Sequence, residues 1–237
     1  MDHNATHTYL VTGGAGFIGS HVVDALVNDG HTVRVVDNFS TGHRENLAQV
    51  ADRIDLREIS ITDRDALADA MQDVDYVFHL AALPSVPRSV DDPIASNENN
   101  VNGTLNVLWA MHECAPESHL VKLGTMGEYG TPNIDIAEGY FEVEYRGRKD
   151  VLPFPKQPGS FYHLTKVHDS NNIMFACKIW GLRATDLNQG VVYGIETEES
   201  NLDDRLLTRF DYDESFGTAL NRFCVQAVAG IPLTLFG

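Results

Sequence analysis

The chain has 237 residues, 43% of them apolar, which is enough to bury one large domain or a domain with a small lobe. Its 17 Lys and Arg against 34 Asp and Glu leave a formal net charge of −17, which repels nucleic acid and anionic membrane surfaces, so neither is expected as a partner. The sequence has neither an apolar run approaching the roughly 18 residues of a membrane-spanning helix nor a basic segment leading into an apolar core at its N-terminus, so we expect a cytoplasmic protein without a secretory signal.

The cysteines and the acidic excess add two expectations. Cys114, Cys177 and Cys224 form no CxxC pair, which is typical of reduced thiols and predicts no metal site. The acidic excess has two open interpretations. One is a salt-rich cytoplasm, in which a dense carboxylate surface keeps a protein hydrated; the other is an ordinary acidic enzyme.

Predicted strands and helices alternate along the chain. Short apolar runs rich in β-branched residues predict strands at 7–13, 32–38, 53–59, 74–80, 119–125 and 183–194. Apolar residues at helical spacing predict helices at 16–29, 63–72, 93–114, 160–180 and 216–229. A strand followed by a helix, repeated, predicts an α/β fold of the Rossmann type, a doubly wound parallel sheet covered by helices on both faces. Residues 141–154 interrupt the alternation and read as a β-hairpin around a Gly-containing turn.

A glycine-rich turn joins the first predicted strand to the first helix. Gly13, Gly16 and Gly19 permit a tight turn and a close approach of the backbone to a pyrophosphate, beside the free N–H groups of the helix N-terminus. Asp37 ends the next strand, where its carboxylate can accept hydrogen bonds from an adenosine ribose and repel a 2′-phosphate, so NAD is favoured over NADP. The alternative is a purely structural turn with a solvent-exposed aspartate.

This spacing resembles that of the extended short-chain dehydrogenases/reductases, and so do HLAAL at 79–83 and NVNGTLNVL at 100–108. The resemblance implies an NAD site at the carboxyl ends of the strands. Ser60-Ile61 stand where the family often has Asp-Ile against the adenine. The cofactor contacts that it implies are Gly13, Gly16, Phe17, Ile18, Gly19, Asp37, Asn38, Ser60, Ile61, Leu80, Ala81, Ala82, Asn100, Tyr162, Lys166 and Gln189.

Tyr162 and Lys166 form a Y-x-x-x-K pair that shares one face of the predicted helix 160–180. A lysine ammonium and a positive nicotinamide ring can lower a tyrosine pKa from about 10 toward 7, so that the phenolate takes a proton from a sugar hydroxyl as hydride leaves the same carbon. The pair by itself is equally typical of an exposed helical contact. Thr125, at the end of a strand, resembles the family's Ser/Thr that hydrogen bonds the reacting oxygen, which favours catalysis.

The segments 122–136, 161–173 and 183–194 resemble one subfamily more specifically, the UDP-sulfoquinovose synthases that build the sulfolipid head group. The resemblance covers about 119–237 and implies UDP-glucose, or another UDP-sugar, and sulfite or a sulfite donor as substrates. It implies oxidation at C4 by NAD, loss of water across C5–C6, addition of sulfite at C6 and reduction of the 4-ketone.

Two side chains are candidates for the C5 proton and the C6 hydroxyl. Met126-Gly127 replace the Asp-Glu pair of the family's 4,6-dehydratases, which leaves Glu128, one position further on, and His163. His163 has an alternative interpretation as a helix residue packed against the loop. The sugar contacts that the resemblance implies are Ser85, Arg88, Thr125, Met126 and Asn188. A UDP-hexose 4-epimerase and a non-catalytic NAD-binding fragment stay open as alternative functions.

We assign 1–187 to an NAD-binding domain that carries the hairpin, and 188–237 to a small, incomplete substrate-binding lobe. The hairpin turn carries Arg146, Arg148 and Lys149, which either attract sulfite or its donor or simply form a solvated turn. The resemblance also implies a homodimer that forms through the helices at 93–114 and 160–180.

Overall fold

The predicted parallel sheet is present in the structure, a computed structural model that describes residues 5–190, 192 and 219–233. Its strands, and the two of a separate hairpin, are β1 (Thr8–Thr12), β2 (Thr32–Asp37), β3 (Ile54–Glu58), β4 (Tyr76–His79), β5 (His119–Leu123), β6 (Tyr140–Tyr145), β7 (Arg148–Pro153) and β8 (Arg183–Leu187). All except β6 and β7 form one six-stranded sheet in the order β3-β2-β1-β4-β5-β8. The strand order reverses between β1 and β4, which opens a crevice at their carboxyl ends.

The helices agree with the predicted elements, with one addition. They are α1 (Phe17–Asn28), α2 (Arg64–Ala70), α3 (Val86–Asp91), α4 (Pro93–Asn97), α5 (Gly103–Cys114), α6 (Phe161–Phe175) and α7 (Ala219–Ala229). The predicted helix 93–114 is continuous but contains a π-helical turn at Glu98–Asn102, and α6 continues into a second π-helical turn at Ala176–Trp180. The sequence analysis missed α3, because its six residues are too few to show a helical period.

The apolar core lies in two layers, one on each face of the sheet. Leu10 and Val11 are adjacent on β1 and both fully buried, but they belong to different clusters, because successive strand residues point to opposite faces. The Leu10 layer packs against α2, α5 and α6, and the Val11 layer packs against α1. This double burial explains why the strands read as continuous apolar runs and confirms the predicted doubly wound fold.

The predicted hairpin is present as β6 and β7, which pair antiparallel with Tyr145 opposite Arg148. Arg146 and Gly147, the two turn residues, both have positive φ (54° and 74°), as a type I′ turn requires. The Phe141 ring lies 5.2 Å from the Phe154 ring, measured between centroids, which anchors the hairpin next to the chain leading into α6.

The remaining predicted features lie partly outside the described residues. Of the predicted lobe 188–237, the structure describes 188–190, 192 and 219–233, and α7 is the described part of the predicted helix 216–229. Among the helices of the described ranges, none is long and apolar enough to cross a membrane.

Candidate active site

A cavity of about 340 Å³ opens at the carboxyl ends of β1, β2, β4 and β5, between the glycine turn and α6. All the residues predicted to contact the cofactor line it, except Ser60 and Asn100. The sequence analysis missed other lining residues in the loops that follow β2, β4 and β5, although the rule that ligands bind at carboxyl ends of parallel strands points to these loops. Those in the loops are Ser40, Thr41, Gly42, Leu83, Pro84 and Gly124. Two more lining residues are Leu123, which ends β5, and Asn99, which lies in the π-helical turn.

The glycine turn leaves room for a ligand because glycine has no side chain. Gly13 has a φ of +71°, and a Cβ there would lie 2.7 Å from the backbone nitrogen of Ala81. A Cβ at Gly19 would overlap the carbonyl oxygen of Gly13. The turn therefore brings the N-terminus of the 12-residue helix α1 to the cavity wall, with the unpaired N–H groups of its first turn directed toward an anion such as a pyrophosphate.

Asp37 lies at the carboxyl end of β2 and lines the same cavity. The backbone amide of Ala15 donates to its Oδ2 at 2.9 Å, and the amide of Phe39 donates to its Oδ1 at 2.8 Å. These bonds fix the carboxylate between the glycine turn and the loop after β2. Each oxygen keeps a second lone pair for a ribose hydroxyl, so the geometry fits the adenosine end of NAD.

Ser60 and Asn100 do not reach the cavity wall. The Ser60 hydroxyl lies 2.8 Å from the Thr62 hydroxyl. Asn100 is buried in the π-helical turn, where its amide donates to the Thr165 hydroxyl at 3.0 Å and its Oδ1 accepts from the Leu83 amide at 2.8 Å. Asn100 thus ties the loop after β4 to the helix that carries Tyr162.

Tyr162 and Lys166 are together on α6 and both line the cavity. The Lys166 Nζ lies 6.0 Å from the Tyr162 ring centroid and 3.6 Å from Oδ2 of the buried Asp169. Burial, with the nearby charges of Asp169 and Glu128, raises the pKa of Tyr162 to about 12, and burial lowers the pKa of Lys166. The expected lowering of the tyrosine pKa is therefore absent in the protein alone, because burial disfavours the charged phenolate and the neighbouring carboxylates disfavour it further.

Thr125 is held at the tip of β5 by contacts with β8. The Gly124 amide donates to Leu187 O at 2.8 Å and the Met126 amide to Gln189 O at 2.9 Å. Thr125 Oγ1 accepts from the Gly127 amide at 3.1 Å and so caps a 3-10 helix at Met126–Tyr129. Thr125 follows directly on Leu123 and Gly124 of the cavity wall, as predicted from the end of the strand.

His163 lies against that turn. A Cβ on Gly127 would overlap the His163 imidazole, so the ring packs directly on the glycine backbone. Its Nδ1 lies 3.0 Å from the Ser160 hydroxyl, and its ring centroid lies 5.2 Å from that of Tyr162. Burial lowers the pKa of His163, partly opposed by the charge of Glu128, so the imidazole is neutral near pH 7 and can both donate and accept a proton.

Glu128 is fully buried below the same turn. Its Oε2 lies 2.5 Å from Lys156 Nζ and accepts from the Ser170 hydroxyl at 2.9 Å, and its Oε1 lies 3.6 Å from Lys122 Nζ. The described cavity is not lined by Glu128. The structure therefore places Tyr162 and Lys166 in the cavity wall. Thr125 and His163 lie outside that wall but directly follow lining residues in the chain, and the Glu128 carboxylate is buried in the interior.

The residues predicted to contact the sugar form two groups. Ser85 caps α3, where its hydroxyl accepts from the Arg88 amide at 3.3 Å, and the Arg88 side chain is exposed. Met126 is exposed beside Thr125, and the Asn188 amide donates to the Tyr129 hydroxyl at 3.1 Å. Within the described part of the chain, no group of three His, Cys, Asp or Glu could hold a metal ion.

Residues 9–212 match the model of the NAD dependent epimerase/dehydratase family. The chain is 48% identical to the chloroplastic UDP-sulfoquinovose synthase of Spinacia oleracea, over 96% of the chain and 52% of the spinach protein. It is 37% identical to the UDP-sulfoquinovose synthase of Sulfolobus acidocaldarius, over 96% of the chain and 64% of the relative. The crystal structure of Thermus thermophilus UDP-glucose 4-epimerase in complex with NAD is similar, with a TM-score of 0.70, 29% identity, and coverage of 96% of this chain and 65% of that one. The chain thus spans about half to two thirds of the length of these proteins.

Proposed function

The chain belongs to the NAD dependent epimerase/dehydratase family, and on this premise we propose that it carries the catalytic domain of a UDP-sulfoquinovose synthase. The observation that carries the proposal is the turn at 124–128. It presents Thr125 beside the cavity, has Met126-Gly127 in place of an acid pair, and belongs to a chain 48% identical to a protein of that name. The substrates would be UDP-glucose and hydrogen sulfite, and the products UDP-sulfoquinovose and water.

NAD is the cofactor that we propose, held by the glycine turn and by Asp37. The bound nicotinamide supplies a hydride acceptor and a positive charge. Asp37 would accept from the ribose hydroxyls, and its charge would oppose a 2′-phosphate. Since burial raises the pKa of Tyr162 in the protein alone, the positive charge of a bound nicotinamide would favour the phenolate. Tyr162 would therefore be a stronger candidate base in the loaded site.

In the first step, Tyr162 would take the proton of the sugar C4 hydroxyl as hydride leaves C4, with Thr125 hydrogen bonded to the same oxygen. Lys166, buried beside the ring, would stabilise the phenolate. The 4-ketone acidifies the C5 proton, so water can be lost across C5–C6 and sulfite can add at C6. Reversal of the hydride transfer then restores the C4 hydroxyl, and no net oxidation remains. Glu128 and His163 are the candidates for the proton transfers at C5 and C6.

A single assay tests this function. The protein is incubated with NAD and UDP-glucose, with and without sulfite, and the products are identified by mass, with Tyr162→Phe as the inactive control. We expect a sulfonated nucleotide sugar only in the presence of sulfite. UDP-galactose would instead indicate the 4-epimerase function of the Thermus neighbour. NAD binding without turnover would identify a non-catalytic NAD-binding module.

We also propose a homodimer through α5 and α6. Leu105 on α5, Phe175 at the end of α6 and Ile179 in the following π-helical turn are large apolar side chains, each more than two fifths exposed. Such residues on neighbouring helices favour contact with a second copy over contact with water. Sedimentation equilibrium should give twice the chain mass, and a change of Phe175 and Ile179 to Ser should give the monomer mass.

A further inference from the structure

Five polar residues meet in the interior below the turn Met126–Tyr129, and we refer to them as the buried ion cluster. They are Lys122, Glu128, Lys156, Ser170 and Asp186. The Lys122 Nζ lies 3.1 Å from Asp186 Oδ1 and 3.6 Å from Glu128 Oε1, and the Ser170 hydroxyl lies within 2.9 Å of Glu128 Oε2 and 2.5 Å of Asp186 Oδ2. Lys122 and Glu128 are fully buried.

The buried ion cluster joins every element that supports the reacting groups. Lys122 comes from β5, Glu128 from the turn, Lys156 from the chain before α6, Ser170 from α6 and Asp186 from β8. Two lysines face two carboxylates, so the cluster is neutral only as a whole. Removal of one charge would leave the buried cluster with a net charge, which is more costly than the loss of an exposed pair.

The same contacts prevent Glu128 from reaching a substrate. A group that takes a proton from C5 must come within hydrogen-bond reach of that carbon. The Glu128 carboxylate is fully buried, and one of its oxygens already contacts Lys156 and Ser170. His163, in contrast, is half-buried, and its imidazole packs against the backbone of Gly127.

We propose that Glu128 is a positioning residue, and that through it the buried ion cluster holds the turn Met126–Tyr129 where Thr125 and the His163 imidazole can act. The proton transfers at C5 and C6 then belong to His163. The proposal rests on the proposed function, because it assigns the roles of Thr125 and His163 in that reaction. Lys122, Asp186 and Ser170 become functional residues although none of them touches the substrate.

The test is a double-mutant cycle of Glu128→Gln and Lys122→Met, with Glu144→Gln and Lys149→Met as a matched control. The control pair lies on the exposed hairpin with its charges 3.8 Å apart. Each single change in the cluster should lower the unfolding midpoint by roughly 10 °C, and the double change by less than the sum. The control changes should leave the midpoint within about 1 °C.

A second measurement separates positioning from stability alone. In the Glu128→Gln variant the His163 imidazole should titrate at lower pH, because Glu128 raises the pKa of His163 in the native protein. Its ring signals in NMR, assigned with the His163→Asn variant, should shift because the turn moves. Glu128→Asp, which restores the charge, should recover part of both effects. An unchanged His163 signal in a destabilised Glu128→Gln variant would overturn the proposal.

Turnover supplies the remaining comparison. Glu128→Gln should slow NADH formation from UDP-glucose and exchange of the C5 proton with solvent deuterium to a similar extent. Loss of C5 exchange alone, with the midpoint and the His163 titration unchanged, would identify Glu128 as the proton carrier and overturn the proposal. The melting and NMR measurements need no turnover, so a wild type that binds NAD without converting UDP-glucose would refute only the proposed function.

Discussion

Asp37 is the residue that is expected to select the cofactor. Its two oxygens are already held by the Ala15 and Phe39 amides, so the carboxylate is fixed before a ligand arrives. In Asp37→Ser, NAD should bind about tenfold or more weakly, because a hydrogen bond to a charged group contributes about 1.5–3 kcal/mol. The preference for NAD over NADP should fall by a similar factor. Calorimetric titration with both cofactors measures this, with the exposed Asp52→Ser as the control.

If the ratio of the dissociation constants for NAD and NADP were the same in Asp37→Ser as in the wild type, a group other than Asp37 would discriminate between the two cofactors.

His79 is the residue that we expect to make the protein sensitive to acid. The imidazole is buried between the hydroxyls of Thr12 (2.7 Å) and Thr104 (2.9 Å). Burial, assisted by the charges of Lys166 and Lys122, lowers the pKa of His79 to about 3. Below pH 6.5 the unfolded chain therefore binds a proton at this histidine that the folded protein does not bind. This group alone should lower the free energy of unfolding by about 1.4 kcal/mol per pH unit.

Urea unfolding between pH 7.5 and 4.5 measures this slope. The His79→Gln variant should be less stable at neutral pH but should lose less stability on acidification. The exposed His168→Gln should keep the wild-type slope. Equal slopes in all three proteins would mean that His79 takes up its proton in the folded state.

The site residues divide into those that local sequence could predict and those that it could not. The common location of the glycines, Asp37, Tyr162 and Lys166 at one cavity was predictable, because it follows from spacing within one element or at its end. The orientation of Glu128 was not, because it depends on Lys122, Ser170 and Asp186, which come from three other elements. For the same reason the sequence placed Asn100 at the cofactor, whereas its amide ties Leu83 to Thr165.

At the scale of elements, the turn after β5 depends on the contact between Gly127 and His163. A methyl group at this position would overlap the imidazole. Gly127→Ala should therefore displace His163 and reduce turnover of UDP-glucose by about tenfold or more, since small misplacements of reacting groups are costly. NAD binding should stay unchanged, because Gly127 does not line the described cavity.

Gly159→Ala is the matched control, since its Cβ would meet no atom within 4 Å. Comparable turnover in the two variants would show that the imidazole can move without loss of function.

Most elements were predictable, because strands buried on both faces and helices buried on one face have distinct apolar periods. The hairpin was predictable from two short strands on either side of a turn that contains Gly147. The π-helical turns were not, because a single extra residue leaves the apolar period on either side intact.

At the scale of the whole molecule, the net charge of −17 acts against the folded state. Surface carboxylates repel each other over about 10 Å at 0.1 M salt, but over only about 3 Å at 1 M. We expect the unfolding midpoint to rise by several degrees from about 0.05 M to 1 M KCl, as this repulsion is screened. Differential scanning calorimetry measures the shift. An unfolding midpoint that does not change with salt would show that the acidic side chains are far enough apart, or well enough paired with cations, that their mutual repulsion is negligible.

The same titration separates the two interpretations of the acidic surface. A protein adapted to a salt-rich cytoplasm should unfold at room temperature below about 0.1 M KCl, whereas an ordinary acidic enzyme should stay folded.

The π-helical turn at Glu98–Asn102 also determines where the chain can tolerate the deletion of a residue. A π-helical turn accommodates one residue more than an α-helical turn, so deletion of one residue there would restore a regular helix between α4 and α5 and remove the turn in which Asn100 is held. Asn100 would then lose Leu83 and Thr165 together. Single-residue deletions in 98–102 should therefore be tolerated less well than deletions in the exposed hairpin turn. A deletion scan read out by NAD retention would reveal this asymmetry.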